Sequence, residues 1–123
     1  LTFGSLPTSS AVAISVSVAA NNAGSGNVYV IDDTQKKSLT LEVGKTYTFT
    51  HPSAHPLRFS TTSDGTHASG SGYGTSGVSE YTTGVTTSTS GSTVIEVTSD
   101  TPTTLYYYCS IHSGMGGSIT VSS

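Results

Sequence analysis

The strongest constraint on this chain is a two-residue rhythm of apolar side chains that recurs along its length. Val12, Ile14, Val16 and Val18 alternate with Ala13, Ser15 and Ser17. Leu39, Leu41 and Val43 alternate with Thr40 and Glu42, and Tyr47 and Phe49 with Thr46, Thr48 and Thr50. Leu57 and Phe59 repeat the pattern, as do Leu105, Tyr107 and Cys109, and then Ile119 and Val121. Period two places one set of side chains on one face of a strand, so each run reads as a half-buried strand. Val, Ile, Tyr and Thr carry the pattern, while Gly and Ser fill the gaps between runs, as expected of strands and turns. The expectation is all-β: a Greek-key β-sandwich of seven or eight short strands, with no helix of consequence.

Taken in order, residues 1–10 read as a connecting arm and 11–18 as one strand. Residues 28–31 make a short strand closed by Asp32-Asp33, and a polar connection runs through Lys36 and Lys37. The alternating runs on either side of Gly44-Lys45 predict a hairpin. The Ser/Thr/Gly-rich stretch 60–92 is the least patterned; short strands are expected near 79–82 and an irregular excursion around 66–77. Strands at 93–97 and 105–109 and a closing strand through Ile119 and Val121 complete a single domain, 1–123.

Composition excludes several classes. Charged residues are 9% of the chain, the net charge is −3, and the four Lys and Arg are scattered. No basic patch results, so nucleic acid is excluded as a partner. No apolar run is long enough to span a bilayer. One cysteine cannot form an internal disulfide. Weak charge with abundant Ser and Thr suits an extracellular, periplasmic or surface-exposed protein. The start at Leu1 reads as a mature form or a domain of a longer polypeptide.

The chemistry concentrates in Tyr107-Tyr108-Cys109-Ser110-Ile111-His112-Ser113-Gly114-Met115. It holds the lone cysteine and the lone methionine with a histidine between them, spaced Cys-x2-His-x2-Met. Thiolate, imidazole and thioether together suit copper. Their closeness in sequence limits the entropy of gathering them. A further donor can come from His51-Pro52-Ser53-Ala54-His55-Pro56, a rim made rigid by two prolines. His55 shares the parity of Leu57 and Phe59 and should point inward with them. His51 shares the parity of Phe49, so pattern leaves both open. With His55, the set is His55, Cys109 and His112 in a trigonal plane, and Met115 as a weaker axial ligand.

The segment from Leu105 to Met115, with Ser118-Ile119-Thr120-Val121 behind it, resembles the metal loop of cupredoxins such as plastocyanin and amicyanin. The short His-to-Met gap is closer to amicyanin. Glu42-Val43-Gly44-Lys45-Thr46-Tyr47-Thr48-Phe49 followed by His55 resembles the family's upstream strand and first ligand. His-Pro-Leu-Arg-Phe-Ser, with the His-Ser-Gly-Met loop, also resembles cupredoxin-like domains of large marine bacterial and viral proteins. The resemblance covers 39–60 and 105–123. It favours His55 over His51 and implies one copper ion per chain in a type 1 site. It also implies one-electron exchange with an unknown redox partner protein. Many family members have an Asn after the first His that ties the two ligand loops; here Pro56 follows, so the tie must come from elsewhere.

Plainer readings compete. Cys109 could be a buried strand thiol and Met115 a gap-filler, but Gly114, Gly116 and Gly117 suit a tightly bent ligand loop better. His67, in a Gly/Ser loop, reads as solvated. Tyr107 should lie inside, with Tyr106 and Tyr108 outside or at an edge. Zinc would take Cys and two His but usually avoids a thioether, and haem c lacks its Cys-x2-Cys-His. No acid–base pair or nucleophile constellation is visible, so no enzyme is expected. The competing function is a structural or adhesive module of a large extracellular or virion protein, with copper only stabilising the fold. A third is an adhesive sandwich without metal.

Overall fold

The computed structural model describes residues 10–22, 24, 26–62, 80–88, 91–112 and 114–123. The expected excursion at 66–77, His67 and most of the arm at 1–10 lie outside the described residues. Within them the chain is all-β.

The core lies between two four-stranded sheets. One has the order β1-β6-β9-β8, with β1 Ser10–Ser15, β6 Lys45–Thr50, β9 Ser92–Glu96 and β8 Val85–Thr87. The other runs β5-β11-β10-β7, with β5 Leu39–Glu42, β11 Gly117–Ser122, β10 Thr104–Cys109 and β7 Leu57–Ser60. Phe49 and Ile95 from the first sheet meet Leu41, Phe59, Leu105 and Ile119 from the second in one buried cluster. Phe49 and Phe59 pack edge to face with ring centres 5.4 Å apart, a favoured aromatic geometry. Burying each such side chain stabilises the fold by about 1.5–3 kcal/mol.

A third, three-stranded sheet, β2-β3-β4, comprises Ser17–Ala20, Asn27–Ile31 and Thr34–Gln35. Asp32 and Asp33 join β3 to β4 with φ of 51° and 62°. Two successive positive φ angles define the tight turn whose twist matches a hairpin, and Asp tolerates them.

The predicted strand at 11–18 is interrupted at Val16. β1 pairs in parallel with β6, and β2 pairs with β3 in another sheet. Val16 is buried at the break and donates its N–H to Thr50 O at 2.8 Å. The predicted hairpin across Gly44 is also corrected. β5 pairs with β11, and β6 pairs with β1 and β9. The turn is a crossing between sheets: the Val43 N–H bonds to Ser122 O and the Gly44 N–H to Val97 O, both at 2.8 Å. Two alternating runs bury their apolar faces equally well side by side or facing across a core, so their period cannot separate the two arrangements.

Near 79–82 the described residues contain one bridge, Tyr81 to Phe59; the next strand, β8, pairs with β9 in the other sheet. Tyr107 is buried as expected and Tyr106 is half-buried, but Tyr108 is buried too, against expectation. Tyr108 and Val28 both lie outside the main cluster, so β10 is covered on both faces at this level.

Candidate metal centre

Antiparallel pairing of β10 with β7 sets Cys109 opposite Leu57. The end of β10 and the beginning of β7 therefore share one rim of the sheet, and His55, two residues before Leu57, belongs to it. The His55 N–H bonds to Pro52 O at 3.0 Å, closing the proline-bounded segment into a turn. The Ser110 N–H donates to Pro56 O at 3.0 Å. That main-chain bond supplies the tie that Pro56, in place of Asn, could not make with a side chain.

The rim gathers three donors. One ligating atom each from His55, Cys109 and His112 lies within 4.8 Å of the others. The Cys109 sulfur, fully buried, is 3.6 Å from Nδ1 of His112. The two imidazole rings are tilted by 44° with centres 4.9 Å apart. Nδ1 of His55 is buried and has no hydrogen-bond partner among the described residues. A buried, unpartnered ring nitrogen normally costs free energy, so its position calls for an acceptor of its lone pair or a donor to it. Burial, with the neighbouring His112 charge adding to it, holds the His55 imidazole below its ordinary pKa. The neutral ring is the form that ligates.

Met115 is buried and borders the same open pocket as His55, Ile111 and His112. It also belongs to the hydrophobic core. The loop carrying it turns hard back on β10: a Cβ on Gly116 would lie 1.6 Å from Tyr107 O, so only glycine fits there.

His51 stands apart from the cluster. Its ring sits 2.9 Å from Pro52 O through Nδ1 and 3.3 Å from Thr93 Oγ1 through Nε2. Thr93 Oγ1 in turn donates to Leu57 O at 2.8 Å. Thr93 thus links β9 to β7, and His51 braces it with both ring nitrogens engaged.

Tyr29 on β3 was not foreseen. Its N–H bonds to Met115 O at 2.9 Å and its hydroxyl donates to His55 O at 2.5 Å. The ring centre is 6.2 Å from that of Tyr107. Burial first, then the Cys109 sulfur, pushes the Tyr29 phenol well above its ordinary pKa, so it stays a donor. The sequence held one sign of an unusual strand: Val28-Tyr29-Val30-Ile31 has no polar alternation, as in strands covered on both faces.

No protein-family model matches the chain, and no curated protein matches it. Solved structures do. A variant of rusticyanin, a cupredoxin, superposes with a TM-score of 0.54 at 14% identity, covering 94% of this chain and 79% of that one. A structure described as the copper protein rusticyanin gives 0.49 at 16% identity, over 93% of this chain and 79% of the other. Across the first of these superpositions, the arrangement of strands agrees and the sequences barely do. The chain therefore has an all-β, cupredoxin-like fold, with His55, Cys109 and His112 gathered at one rim of it.

Proposed function

We propose that the chain holds one copper ion through His55, Cys109, His112 and Met115 in a type 1 site and passes single electrons. The observation that carries this reading is the convergence of one thiol and two imidazoles within 4.8 Å, with Nδ1 of His55 buried and without a hydrogen-bond partner among the described residues. Thiolate with two imidazoles and a nearby thioether is a donor set that suits both oxidation states of copper. Copper bound there would supply a one-electron couple. The protein's part is to keep the donors in place. Cys109 is fixed by strand pairing, His55 by its proline-bounded turn, and Met115 by Tyr29 and the close turn at Gly116. A scaffold that does not rearrange between oxidation states lowers the cost of electron exchange. His112 and Ile111 are exposed, which gives a redox partner protein access to one donor. Substrate turnover is not part of this reading. Low charge supports an extracellular, periplasmic or surface-exposed setting.

A second reading draws on the burial of Cys109 and Met115 in the core cluster. Donors built into a core couple metal binding to folding, so copper would act as a staple. Metal analysis, voltammetry and thermal unfolding of the copper-loaded protein separate the two. Electron transfer requires one copper per chain and a reversible couple with fast self-exchange. A sluggish or irreversible couple with a large rise in melting temperature favours the staple, and no bound copper contradicts both.

A further inference from the structure

We propose that Tyr29 is a positioning residue of the metal centre: its hydroxyl fixes the His55 segment and its main-chain amide the Met115 segment, so one buried residue sets the spacing of the two donor-bearing loops. This role presupposes the copper reading above for its purpose. β4 pairs only with Val30 and Ile31, so the short strand ends before it reaches the amide of Tyr29. That amide takes Met115 O at 2.9 Å. The Tyr29 side chain is 0% exposed, so its hydroxyl must find a protein partner, and the carbonyl it finds is that of His55. Tyr107 backs the ring. One residue of the small third sheet thus bonds both donor-bearing loops, which come from distant parts of the chain.

A tyrosine buried only for packing would keep its effect when replaced by phenylalanine; a positioning residue would not. Tyr29→Phe keeps the ring and removes the hydroxyl. Tyr47→Phe is the matched control, because the Tyr47 hydroxyl accepts the Glu42 N–H at 2.8 Å in a different part of the fold. Two readouts are compared well below each variant's unfolding transition: the copper(II) dissociation constant by chelator competition, and the rate at which a maleimide labels Cys109 in the reduced, copper-free protein. Tyr29→Phe should weaken copper binding by about 10- to 100-fold, the usual effect of losing a group that orients a ligand. It should also speed labelling severalfold, while Tyr47→Phe moves neither. An unchanged copper affinity, or labelling no faster than in Tyr47→Phe, overturns the role. If the unmodified protein takes up no copper, the copper reading falls, and the labelling rates still decide whether Tyr29 holds the loops.

Discussion

The amide of Ser110 donates to the carbonyl of Pro56 at 3.0 Å, joining the residue after the buried cysteine to the residue after His55. The two donor loops are stitched through main chain, so the stitch is indifferent to the side chain at 110. Ser110→Ala should change stability and copper affinity by no more than about 0.5 kcal/mol. Ser110→Pro removes the donor and leaves a carbonyl short of its partner, which costs about 1–3 kcal/mol. Urea unfolding and copper competition on both variants check this; equal losses in the two would contradict it.

The two histidines of the proline-rich rim should behave oppositely. His51→Ala removes the buried contact with Thr93 on β9, and should cost about 1–3 kcal/mol of folding stability while leaving copper stoichiometry intact. His55→Ala should leave the copper-free fold within about 1 kcal/mol of the parent and abolish tight copper binding. Metal analysis after dialysis, beside denaturant curves, reads both. Copper lost from the His51 variant and retained by the His55 variant would reverse the assignment.

Gly116→Ala places a methyl group where Tyr107 O already sits. The turn must then lift away from β10, at a cost of about 2–3 kcal/mol, and Met115 moves with it. Calorimetry should show the lower melting temperature in the copper-free protein and a smaller gain on copper addition. A melting temperature equal to the parent's would mean that the loop is not held against β10.

Acid should weaken the copper-free fold through His55. Its folded-state pKa is lowered, by burial and then by His112, so the unfolded chain binds the proton more readily. Stability therefore rises with pH, and is lost as pH falls from the ordinary histidine range, about 6.5, toward the lowered folded value. Histidine NMR titration of the reduced, copper-free protein should give His55 a midpoint below the ordinary one. A midpoint at or above it would show that the ring is neither buried nor opposed by His112.

Much of this arrangement was legible because strand period and ligand chemistry are local properties. The alternation of Leu105, Tyr107 and Cys109 put the thiol on the inward face, and the spacing from Cys109 to His112 and Met115 put three donors on one loop. Pairing was not legible. The runs flanking Gly44 alternate as a hairpin would, and only the bonds of Val43 to Ser122 and Gly44 to Val97 show that they enter different sheets. Val16 hides a change of sheet inside an unbroken alternation for the same reason. His51 and His55 were inseparable by parity; what separates them is Thr93, which occupies one and not the other. Tyr29 was invisible because its role depends on two carbonyls, and carbonyls carry no sequence signature.

The central claim is that the thiol of Cys109 binds copper together with His55 and His112. Its most direct test is copper(II) titration of the reduced protein followed by visible absorbance, with Cys109→Ser alongside. An intense thiolate-to-copper band that saturates at one equivalent, and is absent from the serine variant, is the expected result. A colourless titration, or the same spectrum from both proteins, would contradict it.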